Sequence, residues 1–200
     1  MSGYDDWKVS VPVGSKGDIE VRKFEVPEHS MENLRLSMQG RAALPGEYTS
    51  LHRKGRLWMS DTTAEVRDHM GVDRQIRDRG GRILVMGLGL GMIVNRALQR
   101  DNVEHVDVVE IDPDVAALVG PHYEGPRCTI HVADAYEIKW PPNTRWTVAW
   151  HDIWANMCED NLPEMARLAR SYGRRVDWQG FWAKERILSE RRRTAHAFWR

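Results

Sequence analysis

The sequence predicts an α/β fold: a mostly parallel sheet with helices on both faces, preceded by a small β-rich appendage. Three observations carry that expectation. Four short, nearly continuous apolar runs, at 82–87 (RILVMG), 105–111 (HVDVVEI), 128–133 (CTIHVA) and 146–150 (WTVAW), read as strands buried on both faces. Helical patterns lie between them, and strands alternating with helices build parallel sheets. The last three runs each have an acidic residue at or just beyond their end.

Taken in order, residues 7–26 alternate as Trp7, Val9, Val11, Val13 and Ile19, Val21 around the turn-rich 14–18 (GSKGD), which predicts a hairpin. A short helix is expected near 30–38. A second hairpin is expected over 48–61, with Lys54-Gly55 as its turn. Thr62 or Thr63 caps a helix carrying Val66, Met70 and Ile76, interrupted at Gly71 and ended by Gly80-Gly81. After the first buried strand come helices at 92–100 and 113–119, the latter opened by Pro113. Asn161 three residues before Glu164 has capping-box spacing, and Met165, Leu168, Ala169 and Tyr172 follow at helical period. Residues 176–182 are a candidate fifth strand, though a polar one. The tail carries Lys184, Arg186, Arg191, Arg192, Arg193 and Arg200 against Glu185 and Glu190 on an expected amphipathic helix. Two segments result: an appendage over 1–61 and a nucleoside-sized α/β domain over 62–200.

Composition narrows the function. The 29 basic and 29 acidic side chains cancel, so bulk charge points to neither nucleic acid nor membrane. Cys128 and Cys158, without a CxxC pair, exclude a zinc ribbon or disulfide framework and fit a reducing, cytoplasmic setting. No leader pattern or membrane span is expected. A small-molecule substrate is the expected partner, with a homodimer left open.

In open α/β sheets, ligands bind beyond the carboxyl ends of the strands where strand order reverses. Gly87, Gly89 and Gly91 close the first strand, let the chain turn sharply, and present the next helix's free N–H groups. A dinucleotide fingerprint needs G-x-G-x-x-G, but its last position here is Met92; G-x-G-x-G suits a sulfonium nucleoside without phosphates. Glu110, 19 residues after Gly91, ends the second strand where a carboxylate can accept both ribose hydroxyls. Asp112 reads as a helix cap. Asp134 can accept the amino group of adenine while the Ala135 N–H meets a ring nitrogen. Asp152 ends the fourth strand, placed to orient or deprotonate an incoming nucleophile. His151 beside it is a second candidate, with core packing the stronger reading.

The stretches ILVMGLGLGMI, VDVVEIDPDV, IHVADAYEI and WTVAWHDIW resemble the first four motifs of class I S-adenosylmethionine-dependent methyltransferases, and are most similar to the spermidine-synthase-like branch. GRLWMSD and EVRDH resemble, more weakly, the small β-hairpin and helix before the nucleoside domain of aminopropyltransferases. The resemblance implies a Rossmann-like methyltransferase fold, with S-adenosylmethionine held at ribose by Glu110 and at adenine by Asp134, and an amine deprotonated by Asp152. Where aminopropyltransferases have GGGDG-like and DSSDP-like motifs, this chain has GLGLG and HDIWAN. The expectation is therefore a methyltransferase of unknown acceptor. Its alternatives are an aminopropyltransferase, with Asp61 or Glu65 joining Asp152 around a polyamine, and a non-catalytic nucleoside-binding or interaction module.

Overall fold

The computed structural model describes residues 3–38 and 41–197; Arg200 lies outside them. An antiparallel sheet contains β1 (Gly14–Lys16), β2 (Ile19–Val26), β3 (Gly46–Arg53) and β4 (Arg56–Ser60), in that order, with α1 (Met31–Met38) between β2 and β3. A second sheet is wholly parallel. It contains β5 (Gly81–Met86), β6 (Val103–Glu110), β7 (Cys128–Val132), β8 (Trp146–His151) and β9 (Val176–Phe181), ordered β7-β6-β5-β8-β9. The chain leaves β5 toward β6 and β7, then returns to lay β8 and β9 on the other side. That places the switch point between β5 and β8, and makes the sheet Rossmann-like.

Side chains alternate across this sheet, so its two faces bury different layers. Ile83, Val85, Val106 and Val108 pack with α2 (Thr63–Arg79), α3 (Met92–Leu98) and α4 (Pro113–Val119), and the same core continues into Ile19, Val21 and Leu51 of the antiparallel sheet. Leu84, Met86 and Val109 face α5 (Asn161–Tyr172), with Ile187 of α6 (Lys184–Ala197) in the same layer. The polar run 176–182 forms β9, as expected, because its backbone completes the sheet edge beside β8 while Val176 and Phe181 supply the burial.

Four local expectations are corrected. Residues 7–13 are not a paired strand: Asp5–Trp7 is a single 3₁₀ turn, and β1 begins only at Gly14. Val9 and Val11 are buried alternately as the pattern requires, but the backbone partners are side chains. The Val9 N–H donates to Asp61 Oδ2 at 3.1 Å, and its carbonyl accepts from Thr49 Oγ1 and Lys23 Nζ. Helix α2 runs unbroken through Gly71, and its buried face holds Val66, His69, Val72 and Ile76, with Met70 exposed. The expected capping box of α5 is not formed; Asp160 precedes the helix without a side-chain cap, and Glu164 turns toward Trp154 and Tyr136. The second hairpin matches: Lys54 and Gly55 both have positive φ, as tight β-hairpin turns require. Among the described residues no helix is long and apolar enough to cross a membrane.

Candidate functional site

The carboxyl ends of β5, β6 and β8 and the loop after β7 open onto one cavity of about 420 Å³, within the range of small-molecule sites. Gly87, Gly89, Glu110, Asp134, Ala135 and Asp152 all line it. Five of the residues read from the sequence as cofactor-binding thus meet the one read as catalytic. Gly91 is not in the lining: it is the left-handed N-cap of α3, pressed against the Tyr123 ring, whose hydroxyl donates to the Leu90 carbonyl at 2.7 Å.

At both cavity-lining glycines the loop has no room for a side chain. A Cβ at Gly87 (φ 93°) would strike the Asp152 carbonyl, so the glycine lets the loop pass directly over the end of β8. A Cβ at Gly89 (φ 51°) would strike the Met59 sulfur, which also receives the Leu90 N–H at 3.2 Å. The antiparallel sheet therefore closes one wall of the cavity, through Leu51, Arg53, Trp58 and Met59.

Glu110 is 8% exposed and shapes the loop opposite. Its Oε2 accepts the Leu88 N–H at 2.8 Å and its Oε1 the Asp112 N–H at 2.9 Å. A carboxylate oxygen has a second acceptor site, so both remain able to receive a ligand hydroxyl. Asp112 caps α4 by accepting from the N–H groups of Asp114 and Val115, and pairs with Arg53, which lies over Trp58 at 4.5 Å from the ring centroid. Asp134 is half-buried; its Oδ1 accepts the Tyr136 N–H at 2.7 Å, an Asx turn that fixes the loop after β7.

At the far end Asp152 accepts from His69 Nε2 at 3.0 Å, while His69 Nδ1 lies 2.7 Å from the Glu65 backbone carbonyl. Burial pulls the His69 ring toward neutrality, but the hydrogen bond and charge of Asp152, together with the Glu65 carbonyl and carboxylate, outweigh it and raise its pKa from 6.5 to about 9. Burial also raises the Glu65 carboxyl; Arg41 pairs with both Glu65 and Asp68 at 3.0 Å. The remaining wall is aromatic: Tyr136, Trp150, Trp154 and Trp182, with Glu164 accepting from Trp154 Nε1 at 2.8 Å and from the Tyr136 hydroxyl at 3.4 Å.

His151 is on the opposite layer of the sheet. Fully buried, stacked on Phe181 at 4.5 Å and facing Met86 Sδ and Gln179 Oε1, it is pushed down by burial to about 4 and stays neutral at physiological pH. It is a core histidine. Asp61, named from the sequence as an acid for a polyamine, does not line the cavity; it is buried under Val9 and Thr49, accepting both their N–H groups.

His69 and Met59 were not singled out from the sequence as site residues, and Glu164 was read only as a helix cap. Of these, only His69 left a signal: it recurs at i+3 from Val66 and i−3 from Val72, placing a titratable ring on the buried stripe of α2.

No family model matches the chain, and no curated protein sequence matches it. Solved structures similar to it include an S-adenosylmethionine-dependent methyltransferase from Mesorhizobium loti, 20% identical over 57% of this chain and 51% of that one, with a TM-score of 0.43. A spermidine synthase from Thermotoga maritima is 19% identical over 71% of this chain and 45% of that one, TM-score 0.41. The N-methyltransferase NodS from Bradyrhizobium japonicum WM9 is 8% identical over 56% and 62%, TM-score 0.44. The chain spans about half the length of the first two.

Proposed function

We propose that the chain is an S-adenosylmethionine-dependent methyltransferase of a small-molecule acceptor. The observation that carries this reading is the convergence, at the switch point of one parallel sheet, of a glycine loop and three strand-end carboxylates on a single cavity. The residues fit the nucleoside. Glu110 offers two acceptor oxygens already oriented by backbone N–H groups, Asp134 and Ala135 line the adjoining wall, and Gly87 and Gly89 let the loop beneath it turn tightly against the end of β8 and Met59. When bound, S-adenosylmethionine would supply the methyl group from its sulfonium. The chain's own contribution is to hold an acceptor in line with that group, a positioning effect that needs no conspicuous catalytic motif. Asp152, with one oxygen bonded to His69, would direct the acceptor's nucleophilic hydrogen from the other.

The charges support methyl transfer over aminopropyl transfer to a polyamine. Two of the acids in the acceptor half, Asp152 and Glu65, already have cationic partners in His69 and Arg41, which leaves less unbalanced negative charge than a polycation would need. Side-by-side calorimetric titration with S-adenosylmethionine, S-adenosylhomocysteine, decarboxylated S-adenosylmethionine and NAD tests the reading. Micromolar binding of the first two supports it, preference for the decarboxylated form moves the assignment to aminopropyl transfer, and failure of all four leaves an interaction module.

A further inference from the structure

We propose that His69 is a positioning residue that holds Asp152 as a fixed anion at the acceptor end of the cavity. The inference rests on the reading above that Asp152 faces the reacting groups, but its structural half is decided independently. Both ring nitrogens face acceptors, the Glu65 carbonyl at 2.7 Å and Asp152 Oδ2 at 3.0 Å. A neutral imidazole has one N–H and would set a lone pair against one of them; only the imidazolium donates to both. The ring lines the cavity but is largely buried, with 4% of the side chain exposed, and the Trp150 indole packs against it edge-on at 5.9 Å between centroids. The charged groups facing it are Asp152 from the end of β8 and Glu65 from α2 itself; Arg41, Asp68 and Arg186 form the next layer through Glu65 and Asp68.

This geometry excludes a proton relay. The Nδ1–H is committed to a peptide carbonyl, which cannot carry the proton onward, so the ring does not pass a proton from Asp152 to solvent. What it supplies is direction and charge. One carboxylate oxygen of Asp152 is pinned toward α2, which fixes the plane of the group and turns the second oxygen to the cavity that Asp152 lines. The positive charge balances that of the carboxylate as ligands exclude water. His69 thereby ties the reacting end of the site to α2.

The first measurement is an NMR titration of the His69 ring in the intact wild-type protein. A ring that titrates near 9 and shows two N–H protons at pH 7 is expected; a ring neutral at pH 7 overturns the proposal. In Asp152→Asn the titration should fall below the ordinary histidine value, because burial then acts with less opposition; an unmoved titration overturns the pairing. The second measurement uses His69→Gln, whose amide can still donate to Asp152 but carries no charge. S-adenosylmethionine affinity should stay within about threefold while turnover falls about 10²-fold, as for other losses of positioning. The alkaline limb of the rate profile near pH 9 should vanish. Full turnover with an unchanged profile overturns the role. Wild-type protein that fails to bind S-adenosylmethionine would instead sink the nucleoside reading, and the ring titration would still decide the pair.

Discussion

Each carboxylate oxygen of Glu110 is bonded to one backbone donor, Leu88 or Asp112, and this determines what loss of the side chain does. Glu110→Ala removes the acceptors proposed for a ribose and also leaves two N–H groups of the loop unpaired. S-adenosylmethionine affinity is expected to fall by about one to two decades, at about 1.4 kcal/mol per decade, with a lower melting temperature as well. Titration calorimetry beside thermal unfolding checks both, and unchanged affinity in a folded variant removes Glu110 from the ribose. Gly89→Val acts differently. The new side chain meets Met59 and must adopt a left-handed backbone, so it displaces the hairpin wall of the cavity from the loop. Binding should be lost while far-ultraviolet circular dichroism stays close to wild type; retained binding would place the ligand elsewhere.

At the scale of elements, α2 shows what could and could not be read from the chain. Gly71 suggested a break, yet the helix passes through it because Val66, His69, Val72 and Ile76 bury a continuous stripe on both sides of the glycine. Nothing lies within 4 Å of a Cβ placed there. Gly71→Ala is therefore expected to stabilise the protein by about 0.5–1 kcal/mol, read from denaturant midpoints at constant slope; a destabilised variant would mean that the helix needs the glycine. The parallel strands were legible because burial on both faces writes itself as an apolar run, and the strand-end acids because topology brings such ends together. The partners of those acids were not. His69 lies 83 positions from Asp152, Met59 reaches the glycine loop from another sheet, and Glu164 sits where local spacing suggested a cap. Each belongs to a contact made by tertiary packing, which no local pattern encodes. The stretch 7–13 shows the converse: its alternation truly reported burial, but a carboxylate, Asp61, took the place of a neighbouring strand.

Over the whole molecule, two buried histidines on opposite layers of the parallel sheet set opposite limits on stability with pH. His69 has a folded pKa of about 9, above its ordinary 6.5, so its contribution is complete below about 6.5 and disappears as pH rises through 9. His151 is held near 4, below the same 6.5; its neutral, stacked state is favoured above about 6.5, and stability falls as pH drops toward 4 and the unfolded ring takes up protons first. Each displacement corresponds to about 3 kcal/mol at 1.36 kcal/mol per pH unit. The melting temperature is thus expected to peak near pH 6.5. For a chain of 200 residues, about 3 kcal/mol corresponds to roughly 6–12 °C between that peak and pH 9. Asp152→Asn separates the two limbs: it should lower the maximum and flatten the alkaline side, because His69 no longer gains an anion on folding, and it should steepen the acid side, because a buried His69 held below its ordinary value adds its loss to that of His151, which touches neither partner. Scanning calorimetry of both proteins from pH 5 to 9.5 provides the test. An alkaline limb that persists in Asp152→Asn would assign it to other groups and dissolve the link between α2 and the end of β8.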